Sequence, residues 1–406
     1  MKLPSKPSQA VSWWRREGLG YENGRLHMAG QDLGALANAF PAPLYVYDAN
    51  RARENLNRIK TALLGGAACG RVFYAMKANR HVPLLMALRA TGQCGLDVCS
   101  PGELLLAREC GFAEEEITYT GTAMSPADLA VIQRFPRIAL NCDSMAAVEL
   151  VARHMPGRRI GLRIDPAVGI GYRQNPRLDY AGIGISKFGI LLEDLPAAVA
   201  RARAAGLVIE GLHVHAGCGF LTPQLPLWDR VLARLRAAIT SVGTVRYVNL
   251  GGGLGIPLVA RDRPLDLDAW TRILRKHFGS AAHEVWIEPG DYIVKDAGVL
   301  LLEVTAVETK AEQVFVRVNG GFNLHPEPLF YQLPLEPASV VAGGHRGRVT
   351  LAGNINEAHD LWAQNVLMTM PTAGDVLALL NAGGYGAAMA SSHCLRGEYS
   401  QYLIWS

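Results

Sequence analysis

The sequence predicts an α/β fold: a TIM-like (β/α)8 barrel joined to a second, mostly β domain. Three observations predict it. Between residues 70 and 290 a unit recurs: a short apolar strand, a polar or glycine turn, then an Ala/Leu/Arg-rich helical stretch. Beyond residue 298 the hydrophobic period drops to two and helical signals fade. The residues with unusual chemistry gather at the C-terminal ends of the repeating strands, where barrel enzymes place their active groups.

In order, the strands are expected at Arg71–Lys77, Gly95–Cys99, Ile117–Gly121, Arg137–Asn141, Arg159–Ile164, Val208–His215, Tyr247–Leu250 and Val285–Glu288. Helices fall between them, as at Pro101–Cys110, Ser125–Phe135, Ser144–His154, Leu195–Ala205 and Pro226–Ser241. An open doubly wound sheet competes, but eight successive units fit a closed barrel better. The β domain is expected from Val299–Thr309, Gln313–Val318, Arg348–Leu351, Asp375–Asn381 and Gln401–Ile404. Tyr21–Met28 and Leu44–Tyr47 also look strand-like and could join that sheet. The expected division is a barrel over 40–292, with 1–39 and 293–406 forming a discontinuous β-rich domain.

Half of the 406 residues are hydrophobic and 19% are charged, ordinary values for a globular enzyme. The net charge of +4 is small and diffuse, which argues against nucleic acid or a membrane surface as partner. Runs such as Arg201–Arg203 and Arg230–Arg236 fit solvated helix faces. Seven irregularly spaced cysteines form no disulfide framework and no metal-ligand pattern, so reduced thiols and a cytoplasmic location are expected. The start, Met1-Lys2-Leu3-Pro4-Ser5-Lys6, lacks the apolar stretch of a signal peptide, and no run is long enough to span a membrane.

Lys77 ends the apolar, aromatic-rich run Val72-Phe73-Tyr74-Ala75-Met76-Lys77. Burial disfavours its charged form, and a neutral amine in a pocket can bond an aldehyde cofactor; a lysine snorkelling to solvent is the plain alternative. Gly251-Gly252-Gly253 follows the seventh strand, where barrels bind phosphate; a tight turn is the alternative. Glu288 ends the eighth strand, and a carboxylate there can keep a pyridine nitrogen protonated or simply pair with an arginine. His215 ends the sixth strand and can stack on a ring or be an ordinary core histidine. Together, a lysine, three glycines, a histidine and a glutamate on one rim describe a pyridoxal phosphate site.

The motifs extend along the chain: Tyr74-Ala75-Met76-Lys77-Ala78-Asn79, Asp97-Val98-Cys99-Ser100-Pro101-Gly102-Glu103-Leu104, Ser186-Lys187-Phe188-Gly189, Gly211-Leu212-His213-Val214-His215-Ala216-Gly217, Asn249-Leu250-Gly251-Gly252-Gly253, Glu288-Pro289-Gly290 and Ala382-Gly383-Gly384-Tyr385-Gly386. In these the chain resembles the fold-type III decarboxylases, which share the alanine racemase-like fold, and most of all their diaminopimelate branch. The resemblance implies roles. Lys77 would carry the cofactor, His215 would stack on its ring, and Glu288 would meet its nitrogen. Gly251, Gly252, Gly253 and Tyr385 would hold its phosphate. It also implies a homodimer with shared active sites, Asn356 and Glu357 reaching into the partner's site, and Tyr331 in the substrate pocket.

The chain departs from that pattern in its substrate-binding residues. Asp291 stands where the family has a substrate-binding Arg after Glu-Pro-Gly; pairing with a nearby Lys or Arg is the plain alternative. Glu327, in Glu327-Pro328-Leu329-Phe330-Tyr331, replaces a second one. Such a reversal would disfavour a distal carboxylate and favour a cationic or hydroxyl-rich group, at about 4 kcal/mol per close contact. Asn356 occupies the place of a cysteine that helps return a proton to the substrate carbon, and an amide cannot do this. His393, Cys394, Lys77 or water are the candidate donors. Cys218 replaces a phosphate-binding serine and is a weaker donor. The expectation is a pyridoxal-phosphate-dependent decarboxylase of an amino acid or amino-acid derivative. A racemase on the same fold, or a non-catalytic relative that binds a protein, are the alternatives.

Overall fold

The computed structural model describes residues 12–181 and 186–405; the Met1–Lys6 stretch weighed above lies outside them. All eight barrel strands are present: Gly70–Ala75, Cys94–Val98, Ile117–Gly121, Ala139–Cys142, Arg159–Asp165, Val208–Val214, Tyr247–Asn249 and Glu284–Ile287. Each pairs in parallel with the next, and the eighth returns to the first, closing the barrel. The first strand stops at Ala75, so Lys77 stands in a 3-10 turn, Met76–Ala78, rather than on the strand itself.

Local chemistry fixes the crossovers. Ser100 accepts from the Glu103 amide at 3.2 Å, and Pro101 opens the helix Pro101–Glu109. Ser144 caps Met145–His154 in the same way. The helix Leu225–Val242 buries Trp228, Val231, Leu232 and Leu235 on one face and stops at Gly243, whose φ of +89° suits glycine. Burying those four side chains contributes on the order of 6–12 kcal/mol before chain entropy is subtracted.

The barrel interior is layered. Phe73, Ala139, Tyr247 and Trp286 form one buried cluster, with Tyr247 and Trp286 stacked at 3.8 Å. Gly211 makes room, since a Cβ there would lie 2.1 Å from the Tyr247 ring. Two residues further along the strands, on the same inward face, come buried polar groups: Asn141, Arg163, His213, Asn249 and Glu288, with Asp97 two after Gly95. The apolar layer plugs the barrel and the polar layer forms the floor of its open end.

In the β domain the long strand Gly298–Lys310 pairs with Val376–Leu379, with Gln313–Val318 and with Leu44–Asp48. Leu44–Asp48 also pairs with Ser400–Ile404. This strand was placed within the 40–292 barrel stretch but belongs to the β-sheet by its pairings. Leu19–Glu22, Arg25–Met28 and Gln31–Asp32 form a separate three-stranded sheet, tied to the larger one through the Leu26 N–H to Val340 carbonyl bond of 2.8 Å. Strands Pro337–Ser339 and Leu361–Thr369 were not expected from the sequence. The domains meet at the loop 382–386. The Tyr385 amide donates to the Ala78 carbonyl at 2.7 Å, Asn79 Nδ2 to the Gly383 carbonyl at 2.9 Å, and the Gly383 amide to the Lys295 carbonyl at 3.0 Å. These bonds pin Tyr385 between the turn bearing Lys77 and the turn bearing Lys295.

Candidate active site

A single pocket at the open end of the barrel is lined by Lys77, Asp97, Arg163, His213, His215, Cys218, Gly252, Gly253, Glu288, Asp291 and Tyr385, among others. Lys77 Nζ lies 2.9 Å from Asp97 Oδ2, and 41% of the lysine side chain is exposed to the pocket. Asp97 is almost wholly buried, and its other oxygen has no hydrogen-bond partner among the described residues. Burial alone would lower the Lys77 pKa, as the sequence reading anticipated. Asp97, Cys99 and Glu288 outweigh it and raise that pKa above the ordinary value.

Glu288 pairs with a histidine rather than an arginine. Its Oε2 is 3.0 Å from His213 Nε2, and its Oε1 accepts from Asn249 Nδ2 at 2.5 Å. Burial would raise its pKa, but His213, Lys77 and Asn249 hold the carboxyl down to about 2. Burial and the Glu288 charge instead raise Asp97 to about 7, against the pull of Lys77. Two carboxylates facing one ammonium thus titrate apart. Burial keeps His213 below its usual pKa, so it is neutral with the proton on Nε2, facing Glu288.

His215 is also neutral: burial, then Arg163, Lys77 and His213, hold its pKa well below normal. Its Nδ1 accepts from the Gly252 amide at 3.3 Å, and its ring tilts against Tyr180 at 5.0 Å. Gly251 and Gly253 have φ of +67° and +93°, and a Cβ on Gly252 would stand 2.2 Å from the Glu288 carbonyl oxygen. The glycine run is therefore both a turn and a point of close approach. The Cys218 thiol is pushed up, first by burial and then by Asp291 and Glu327, so it is protonated. Arg163 was not singled out from the sequence. It is buried and stacked over Phe188 of the Ser186–Gly189 motif at 4.4 Å, and makes no ion pair among the described residues. Its signal was a charged residue alternating with apolar ones in the fifth strand.

Asp291 and Glu327 are not free charges: Asp291 pairs with a lysine, as the plain alternative had it, and the same lysine pairs with Glu327, which the sequence reading did not anticipate. Buried Lys295, one helical turn after Asp291, lies 3.1 Å from Asp291 Oδ2 and 2.5 Å from Glu327 Oε2. Burial would lower the Lys295 pKa, but Asp291 and Glu327 raise it. Burial raises Glu327 to about 7, opposed by Lys295 and reinforced by Asp291, as befits two carboxylates sharing one cation. Asp291 Oδ1 is buried with no hydrogen-bond partner among the described residues. Tyr331 ends the short helix Glu327–Tyr331, and its carbonyl accepts from Asn175 Nδ2 at 2.6 Å.

The remaining residues singled out lie elsewhere. Asn356, Glu357, His393 and Cys394 are exposed on the β domain, and none lines the Lys77 pocket of its own chain. His393 Nε2 and Glu357 Oε1 are 3.2 Å apart.

Comparison with known proteins gives the chemistry a family. The family described as "Pyridoxal-dependent decarboxylase, pyridoxal binding domain" matches residues 50–295. A diaminopimelate decarboxylase of Methanothermobacter thermautotrophicus is 31% identical, over 94% of this chain and 91% of its own. That of Deinococcus radiodurans is 31% identical, over 91% and 92%. The crystal structure of diaminopimelate decarboxylase from M. jannaschii in complex with L-lysine matches with a TM-score of 0.85 at 24% identity, covering 96% of this chain and 93% of that one. This likeness confirms the barrel-plus-β fold. Among the described residues no helix is long and apolar enough to cross a membrane. The chain belongs to the pyridoxal-phosphate-dependent amino-acid decarboxylases, in the diaminopimelate decarboxylase family.

Proposed function

We propose that this chain removes the α-carboxylate from an amino acid whose distal end carries a hydrogen-bond donor rather than a carboxylate. One observation carries the reading: Asp291 lines the same pocket as Lys77 and Glu288, and its buried Oδ1 has no partner among the described residues. An orphaned carboxylate oxygen favours an ammonium or hydroxyl and repels another carboxylate.

The residues fit pyridoxal phosphate. The pocket offers a lysine amine, a carboxylate held ionised, a neutral imidazole, and a glycine run that no side chain could replace without a clash. Bound there, the coenzyme supplies an electron sink for the carbanion left when CO2 departs. Lys77 would hold it covalently and, once displaced by the substrate amine, stay beside Asp97 as a proton carrier. Glu288, kept ionised by His213 and Asn249, would accept a hydrogen bond from the protonated ring nitrogen. His215, being neutral, would stack on the ring without competing for its electrons. The Gly253 amide, the Tyr385 hydroxyl and the weak Cys218 thiol would donate to the phosphate, while the Gly251 and Gly252 amides bond Asn249 and His215 and leave a side-chain-free wall beside it.

In this reading the working unit is a homodimer. Asn356, Glu357, His393 and Cys394 lie exposed and away from their own chain's pocket, so they would serve a partner's. His393 or Cys394 would return the proton that Asn356 cannot. Glu357 and Tyr331 would border the substrate. The M. jannaschii relative binds L-lysine, a linear amino acid, and we extend that ligand class to this chain. The deciding experiment measures CO2 release from D- and L-amino acids with cationic, hydroxylated and anionic distal ends. Turnover of cationic or hydroxylated compounds with little on meso-diaminopimelate is expected. Robust turnover of meso-diaminopimelate refutes the distal-group assignment, and racemisation without CO2 refutes the reaction.

A further inference from the structure

We propose that Lys295 is a coenzyme-positioning residue: the buried cation that lets Asp291 sit beside the coenzyme phosphate. This rests on the placement of the phosphate at Gly251–Gly253, Cys218 and Tyr385. Asp291 lines the pocket at that end, next to Cys218, Gly252, Gly253 and Tyr385. A second cavity lies behind it, lined by Cys218, Gly219, Asp291, Lys295 and Glu327. Lys295 therefore stands one side chain behind the phosphate position, with its Nζ 5.9 Å from the Tyr385 ring centroid.

The charges make the need plain. A phosphate brings up to two negative charges. The cations lining the pocket, Lys77 and Arg163, already face carboxylates: Lys77 pairs with Asp97, and Arg163 lies in the field of Asp143, Glu288 and Asp97. At the phosphate end stands a carboxylate, and the nearby thiol is only a weak donor. Without Lys295, both Asp291 and Glu327 would face the phosphate uncompensated and buried, an arrangement that strongly disfavours an anion. With it, two carboxylates share one ammonium, and Glu327 holds a proton up to about pH 7, so the cluster approaches neutrality.

The test titrates apoenzyme with pyridoxal phosphate and reads binding by absorbance, independently of turnover. Lys295→Met is expected to weaken binding on the order of 100-fold. The triple variant Asp291→Asn, Lys295→Met, Glu327→Gln, uncharged and similar in shape, is expected to recover most of it. Should Lys295→Met fail to fold, Asp291→Asn with Glu327→Gln leaves Lys295 unpaired and is expected to bind about tenfold tighter. Affinity within twofold of wild type in Lys295→Met overturns the proposal. So does a triple variant as weak as Lys295→Met, or an Asp291→Asn/Glu327→Gln pair that binds no better than wild type. Failure of the wild-type apoenzyme to bind the coenzyme at all would instead overturn the functional reading beneath it.

Discussion

Replacing Asp97 by Asn should make the coenzyme attach faster. In the proposed function attachment would need the neutral amine of Lys77, and Asp97 Oδ2, 2.9 Å away, is the main group raising that amine's pKa. A unit-charge contact at this range is worth about 4 kcal/mol at an effective dielectric of 20. Because 41% of the Lys77 side chain is exposed, solvent screening reduces this to about 2 kcal/mol. That equals roughly 1.5 pH units, or about 30-fold more neutral amine at a fixed pH below the pKa. The asparagine is nearly isosteric and Asp97 Oδ1 makes no bond to lose among the described residues, so the fold should tolerate the change. In stopped-flow mixing of apoenzyme with pyridoxal phosphate, wild-type attachment should rise about tenfold per pH unit above about pH 7, where Asp97 is ionised. There the Asp97→Asn profile should be displaced to lower pH by one to two units on the same scale. An unchanged or slower rate about one unit above the Asp97 pKa would mean that Asp97 assists attachment instead of restraining it, and the electrostatic reasoning would fail.

Other consequences are more direct. Lys77→Ala should abolish both the visible absorbance of the bound coenzyme and CO2 release; retention of either contradicts its role. Glu288→Gln should lower kcat on the order of 100-fold, since a charged acceptor worth about 3 kcal/mol is removed; a change under threefold would refute the pairing. The same variant tests a stability effect. The Glu288 pKa is depressed to about 2, so its contribution is present above about pH 4.3, where an unfolded glutamate ionises, and is lost as pH falls toward 2. The Tm gap between wild type and Glu288→Gln should therefore narrow over that range, and a constant gap would count against it. Gly252→Ala places a Cβ 2.2 Å from the Glu288 carbonyl oxygen, and should weaken coenzyme binding at least about tenfold while costing roughly 1–3 kcal/mol of stability.

Much of the fold was legible because the barrel writes itself in local signals. Strand and helix alternate with glycine and serine punctuation, and the eight strands were placed within about two residues. Leu44–Asp48 was harder: its alternation marks a strand, but its partners lie some 250 and 350 residues away, and no local signal identifies them. Leu361–Thr369 escaped because its polar stretch carries Gln364 and Asn365, the latter with φ of +55° at an irregular pairing. The candidate rim was legible where a single side chain marks it: Lys77 and Glu288, singled out from the sequence, line one pocket. It was illegible where the chemistry depends on a neighbour. Nothing at Lys77 itself tells that Asp97 raises its pKa, and nothing at Asp291 tells that Lys295 stands against it.

A residue that departs from a family pattern therefore carries little meaning alone. A buried carboxylate in place of an arginine is tolerated only if a counter-charge comes within reach, because an unpaired buried charge is more destabilising than most single substitutions. Residue 295 follows Asp291 at the spacing that brings side chains together on one helical face, and Glu327 arrives from a separate short helix to share the same ammonium. Counted singly, the two acids suggest a strongly anionic pocket wall. Counted with Lys295, they leave at most one net negative charge, and less below about pH 7, where Glu327 takes up a proton. In the proposed reading, selection of the substrate would depend less on bulk charge than on the one Asp291 oxygen that has no partner among the described residues. A hydroxylated distal group would satisfy it nearly as well as an ammonium, so the substrate screen has to include both.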